Sequence, residues 1–169
     1  MSFSEMYWVP SVEPRRLAFG PRPRAGDWLA DEVAAWSKSG IKHVVSLLEF
    51  HEVFDLEISS ERHFCSESNI QFLEFPIPDR GIPSSLVAAD AFIRKIALLV
   101  ELIEGVYIHC RAGIGRSSLV TAGVMLHLGV PYGQIFPILS GARRLQVPDT
   151  QVQIDWLESY SKHIAARSN

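Results

Sequence analysis

The stretch that most constrains this chain is Val106 to Ser118, VYIHCRAGIGRSS. Val106, Tyr107 and Ile108 make a short apolar run of the kind a buried strand needs, and Ser117 to Leu128 is almost wholly apolar and reads as a core helix. A buried strand feeding a buried helix within a few residues belongs to an α/β fold. Cys110 then stands between a strand end and a helix start. There the first backbone N–H groups have no intrahelical partner and the helix dipole is positive, so an anion is favoured both as a bound ligand and as a thiolate.

The neighbouring residue types fit that chemistry. Gly113 and Gly115 permit backbone angles that a side chain forbids, so successive N–H groups can curl around one tetrahedral oxyanion. Arg116 can close the ring with a two-pronged fork onto two phosphate oxygens, where a lysine supplies only a point charge. Ser117 can give a hydroxyl hydrogen bond to the sulfur. A lone cysteine on a core strand is more often inert packing. This set of His, Cys, Gly, Arg and Ser at fixed spacing, however, arises by chance in on the order of one in ten thousand chains of this length, which outweighs the packing reading.

His109-Cys110-Arg111-Ala112-Gly113-Ile114-Gly115-Arg116-Ser117 resembles the H-C-x-x-G-x-x-R-[ST] phosphate loop of the protein tyrosine phosphatase superfamily, and its compact, dual-specificity-like branch fits best. The resemblance implies an α/β single domain with a mixed, mostly parallel sheet of about five strands flanked by helices on both faces. It also implies a phosphatase in which Cys110 attacks phosphorus to give a phosphocysteine intermediate. In that reading Arg116 and the loop residues Arg111, Ala112, Gly113, Ile114 and Gly115 bind the phosphate, and Ser117 supports the sulfur. Neither a metal nor another cofactor is expected.

Composition sets outer limits. With 169 residues, 47% of them hydrophobic, one domain over residues 1–169 can bury roughly two thirds of its unfolded surface. A net charge of −3 argues against bulk nucleic-acid binding. Cys65 and Cys110 are too few for a disulfide framework and suit a reducing compartment. Cys65 reads as a packing thiol, the alternative being a disulfide that protects Cys110 on oxidation. No stretch has the length of a membrane span and MSFSEMYWVP lacks the order of a signal peptide, so a cytoplasmic protein is expected; a monomer is the separate expectation for its assembly.

Around the loop the chain alternates strand and helix signals. Met6 to Val9 and Leu17 to Gly20 read as an antiparallel pair joined by a proline-containing turn. Arg15, Arg16, Arg22 and Arg24 crowd the second of these, either as a solvated charged edge or as a basic lip for a phosphorylated substrate. A helix follows from Asp27 to Gly40 with Trp28, Leu29, Val33 and Trp36 on its apolar face, then a buried strand from His43 to Leu48. Glu49 to Asn69 is expected to be mostly helical, with Phe54, Leu56, Ile58 and Phe64 packing and His51 and His63 on the surface; its spacing misses the H-E-x-x-H zinc pattern. Ile70 to Ile77 is the next strand, followed by the proline-flanked segment 78–83, a semi-rigid flap. Ser84 or Ser85 then caps a helix through Glu104, with Leu86, Ala89, Ile93, Ile96, Leu99, Val100 and Ile103 on its apolar face. Because the chain re-enters the sheet at Val106, the strands on either side of this helix should be parallel and bring Asp79 to Cys110. Gly129 to Gly141 reads as a helix start and turn region, and a Pro-Asp-Thr cap opens a last helix that packs Ile154, Trp156 and Leu157.

The resemblance assigns further roles. The family's general acid is an Asp on a mobile loop after the preceding strand, which Asp79 matches; the alternative is a turn-forming Asp beside proline. His109 would orient the loop through its ring nitrogens, or else be a satisfied core histidine. Asp149 to Gln153 is similar to the family's water-positioning stretch, with Gln153 at its last position. No Asn-Arg-Tyr segment deepens the pocket and the loop has no lysine, so a phosphorylated protein or peptide is the first expected substrate. Phosphoinositide and RNA 5′-phosphate hydrolysis are alternatives on the same scaffold, as is a non-catalytic phospho-residue binding module. Rhodanese-like sulfur transfer and arsenate reduction also place a cysteine in a loop before a helix, but without this two-glycine pattern and a distant Asp.

Overall fold

The computed structural model describes residues 3–168. Its strands are β1 (Tyr7–Trp8), β2 (Leu17–Pro21), β3 (Ile41–Ser46), β4 (Gln71–Glu74) and β5 (Gly105–Cys110), joined in one sheet of order β1-β2-β5-β3-β4. β2, β5, β3 and β4 are parallel, and β1 is antiparallel to β2. This is the mixed, mostly parallel sheet expected from the sequence. Parallel pairing puts the C-terminal ends of β2, β3 and β5 on one edge, with Pro21 beside Cys110 and Ser46 beside His109. The loop after β5 and the segment after β4 both leave the sheet at that edge, where open α/β sheets form their binding crevices.

Alternation along the strands sorts side chains onto two faces. Leu17, Phe19, Val106 and Ile108 pack toward α4 (Leu86–Glu101), α5 (Arg116–His127), α6 (Tyr132–Arg143) and α7 (Gln151–Arg167). Ala18, Val44 and Tyr107 face α1 (Leu29–Lys38) and α3 (Glu61–Glu67), which follows the short α2 (Phe50–Asp55). Arg116 to Met125 of α5 are all buried, because sheet and helices enclose it; its sequence accordingly has no polar face. Of the two candidate caps for α4 it is Ser85 that accepts from the Ala88 amide, at 3.1 Å. Among the described residues no helix is long and apolar enough to cross a membrane.

Several local expectations are corrected. The turn region read in Gly129 to Gly141 is mostly α6: Pro131 precedes its first turn, where no N–H is needed, and Pro137 lies inside it, its lost hydrogen bond offset by burial of Ile135 and Leu139 on either side. Glu49 to Asn69 divides into two short helices, and Phe54 is 71% exposed instead of packed, while Ile58 is buried. Trp28 lies in a turn before α1, 42% exposed, with the Arg24 guanidinium over its ring. α4 ends at Glu101 and not Glu104, since Ile103 takes a positive φ of 59°, and Leu102 and Ile103 are left exposed. The strand expected through Ile77 is regular only to Glu74, although the Phe75 and Ile77 amides still donate to the Ser46 and Leu47 carbonyls.

A buried polar network joins α4 to α7 behind α5. Tyr160 Oη donates to Asp90 at 2.9 Å, Arg167 also pairs with Asp90, and His127 Nε2 stands 2.8 Å from the same Tyr160 oxygen. Burial pushes the Asp90 carboxyl up, but the hydrogen bonds from Arg167 and Tyr160 outweigh it and hold the group below its ordinary value of 3.8. Tyr160→Phe removes a donor to this buried carboxylate and should cost about 1.5 to 3 kcal/mol in urea unfolding at neutral pH. The bond favours ionised Asp90, which is protonated only as pH falls through its lowered native pKa, so the penalty should shrink below pH 3.8. A penalty that persisted undiminished in acid would mean that Tyr160 acts by packing alone.

Candidate active site after the fifth strand

β5 delivers Cys110 to the sheet edge and α5 begins at Arg116, so residues 111–115 form the loop between them. Cys110 is 3% exposed, and its Sγ lies 3.3 Å from Ser117 Oγ, the contact expected from the sequence. Arg111 and Ala112 are exposed, Ile114 is half-buried and both loop glycines are buried. Gly113 has a φ of 69°, and a Cβ there would stand 2.3 Å from the Gly20 carbonyl carbon, so conformation and space both demand glycine. Gly115 corrects the expectation. Its φ of −90° is open to any residue, and glycine is required instead because a Cβ would meet the Gln153 amide nitrogen at 2.9 Å.

Arg116 is 2% exposed and makes four hydrogen bonds. Nη1 donates to Glu52 Oε2 at 2.7 Å and to the Ile77 carbonyl at 2.9 Å; Nη2 donates to Glu52 Oε1 at 2.9 Å and to Asp79 Oδ1 at 3.0 Å. Burial drives the Glu52 carboxyl up, but the Arg116 and Glu49 backbone hydrogen bonds and the Arg116 charge prevail and hold it below the ordinary carboxylate range. In the same way burial lowers Arg116, while the Glu52 hydrogen bond and the charges of Cys110, Glu52 and Asp79 raise it further. The end of the guanidinium is thus committed to Glu52. On its other side Nη2 meets Asp79, the more exposed of its two carboxylate partners.

Asp79, with its side chain 55% exposed, meets the loop's arginine at 3.0 Å; the crossover was expected to bring it to Cys110, and the contact made is with Arg116 six residues on. Gln153 is fully buried; its Oε1 accepts from the Asp149 and Thr150 amides at 3.0 and 3.2 Å and its Nε2 donates to the Gly81 carbonyl at 3.1 Å. It links the segment bearing Asp79 to the start of α7 and packs on Gly115. His109 makes no contact of the expected kind with the loop. It is fully buried with Nε2 2.7 Å from Glu61 Oε1 on α3, and Nδ1 has no partner among the described residues, so the ring is a core residue satisfied at one nitrogen only.

The four N-terminal arginines separate. Arg15 pairs with Glu101 at 3.0 Å, and Arg16 donates to the Ser39 carbonyl; both lie at the N-terminal end of β2, the opposite edge from Cys110. Arg24 pairs with the buried Glu32. Arg22 alone of the four adjoins the loop, its backbone N–H 3.3 Å from the Arg111 carbonyl. Cys65 is fully buried on the α1 and α3 face of the sheet, with its thiol pushed up to about 12 by burial and by the Glu61 charge, so it is an inert packing residue, as expected. His51 and His63 are surface residues.

Two site residues escape the sequence reading. Glu52 sits in a polar stretch beside His51, and nothing local marks it as buried; the one available signal was the Glu49 to Glu52 spacing, which forms a capping box and fixes where α2 starts. Arg143 looks like one of two arginines after a turn, whereas it ends α6 and donates to the Ala112 and Gly113 carbonyls.

Comparison with known proteins agrees with this geometry. The family model described as "Polymorphic toxin system, DSP-PTPase phosphatase" matches residues 21–130. Over 116 residues the chain is 30% identical to a protein of Invertebrate iridescent virus 6 named tyrosine phosphatase 197R. That stretch covers 63% of this chain and 43% of the relative, so the match spans less than half of the viral protein. Kinase associated phosphatase, crystallised with its catalytic-site cysteine replaced by serine, superposes with a TM-score of 0.86 at 18% identity over 98% of both chains. A mutant form of Tk-PTP superposes with a TM-score of 0.72 at 28% identity over 89% of this chain and 93% of its own. The chain belongs to the family of DSP-PTPase phosphatases of polymorphic toxin systems.

Proposed function

We propose that the chain hydrolyses phosphate monoesters with Cys110 as nucleophile and Asp79 as general acid. The observation that carries this reading is the placement of Asp79 against Arg116, beside a cysteine at the strand-to-helix junction. A phosphoryl group entering the loop would displace Asp79 from the Nη2 hydrogen and take Nε and Nη2 as a fork, leaving Glu52 to hold the other end of the guanidinium. The displaced carboxyl group is then within reach of the ester oxygen on the far side of phosphorus from Cys110.

The sulfur attacks phosphorus, the P–O bond to the leaving group breaks, and the leaving oxygen takes the proton of Asp79. Water then attacks the phosphocysteine, gives its proton to Asp79 and releases inorganic phosphate with the thiolate restored. Arg116 and the loop amides hold the non-bridging oxygens throughout, which is electrostatic preorganisation. Gln153 supports this by tying the Asp79 segment to the loop through Gly81 and Gly115. Phosphorylated proteins or peptides are the first substrates to test, since the viral relative is named a tyrosine phosphatase and the exposed Phe50 and Phe54 of α2 flank Glu52.

Turnover of p-nitrophenyl phosphate that disappears in Cys110→Ser tests the reaction; turnover equal in parent and variant removes the proposal, and phosphate binding without turnover leaves a binding module. A panel of phosphotyrosine, phosphoserine and inositol-lipid substrates then ranks the substrate classes. Asp79→Ala should lower the rate roughly 10²- to 10⁴-fold and flatten the basic limb of the pH profile, because that limb reports loss of the acid's proton. An unchanged basic limb would reassign the acid. Glu52→Gln leaves the buried Arg116 with only the half-exposed Asp79 as counter-charge and should cost about 3 kcal/mol of stability, measured by urea unfolding, besides weakening inhibition by vanadate.

A further inference from the structure

We infer that Arg143 is a positioning residue that sets the direction of the loop amides after Cys110; its purpose rests on the phosphatase reading, its geometry does not. Arg143 ends α6 and approaches the loop from outside. Nε donates to the Gly113 carbonyl at 3.0 Å, Nη2 to the Ala112 carbonyl at 3.3 Å, and Nη1 to Tyr7 Oη at 3.0 Å. The guanidinium lies over the Tyr7 ring, 4.5 Å from its centre, and that ring rests against Phe19 of β2. Arg22 adds a third tether, its amide to the Arg111 carbonyl at 3.3 Å.

Peptide planarity turns these tethers into amide orientation. Among the described residues the cis bonds lie at Pro14 and Pro148, so the loop peptides are trans, and in a trans unit the N–H points opposite to the C=O. With the carbonyls of Arg111, Ala112 and Gly113 drawn outward to Arg22 and Arg143, the N–H groups of Ala112, Gly113 and Ile114 turn the other way, toward the space before Cys110. Gly113 has no side chain to resist a flip, so that direction must be imposed from outside. A flipped unit would present a carbonyl oxygen to the oxyanion in place of a donor. Only a planar fork spans two successive carbonyls and a phenol oxygen at once; a lysine in the same place restores the charge without the fork.

The test is vanadate affinity, by calorimetry, for the parent, Arg143→Ala, Arg143→Lys and Tyr7→Phe, together with the thermal midpoint and p-nitrophenyl phosphate kinetics of each. Arg143→Ala should bind vanadate about ten- to a hundredfold more weakly, with kcat/KM falling by a similar factor and a thermal midpoint within a few degrees of the parent. Arg143→Lys should recover only a minor part of the affinity, and Tyr7→Phe should lose less than Arg143→Ala. Vanadate affinity within about twofold of the parent in Arg143→Ala, or full recovery in Arg143→Lys, would overturn the inference. Should Arg143→Ala fail to fold, the comparison of Arg143→Lys with the parent decides. A parent that binds vanadate without turning over ester refutes the phosphatase reading and leaves this one standing; a parent that binds no vanadate refutes both.

Discussion

A guanidinium buried to 2% exposure in the first turn of α5 has to be neutralised inside the protein, and much of the site is arranged by that requirement. Arg116 draws Glu52 from α2, the Ile77 carbonyl and Asp79 from the segment after β4 onto one group. The elements after β3, β4 and β5 therefore converge where the parallel sheet ends. Glu52 holds the end of the guanidinium through both Nη atoms, so the orientation of the arginine is fixed by the protein itself.

The loop itself is shaped from both sides. Gly113 is pressed against the Gly20 backbone and Gly115 against Gln153, which leaves no room for side chains and lets the main chain lie close to β2 and α7. α5, enclosed by other helices and the sheet, supplies a rigid base. This is a site on stiff elements, with the exposed Asp79 carried by a proline-flanked segment that is anchored through the Gly81 carbonyl to Gln153.

Legibility in the sequence followed the range of the forces involved. The strand runs, the Ser85 and Thr150 caps and the buried helix of Ser117 onward were readable because periodicity and capping act within a few residues. Phe54 and Trp28 were not, since each lies on an apolar pattern whose neighbours turn it outward, Trp28 under Arg24. Gly129 to Gly141 reads as a turn region because two prolines and three glycines argue locally for one, while burial of Ile135 and Leu139 favours the helix. His109 sits at the loop in sequence but in space turns away from it to Glu61.

What the sequence by itself determined is the chemistry on offer: a thiol, an arginine, a hydroxyl and two glycines within nine consecutive residues, whose mutual placement needs only a strand end and a helix start. What only the tertiary structure decided is which distant groups hold them. Glu52 lies 64 positions from Arg116, and Arg143 lies 30 from Gly113 and 136 from Tyr7. Contacts over such separations depend on the order and direction of strands in the sheet and on which helix covers which face, and no local pattern of side chains encodes that.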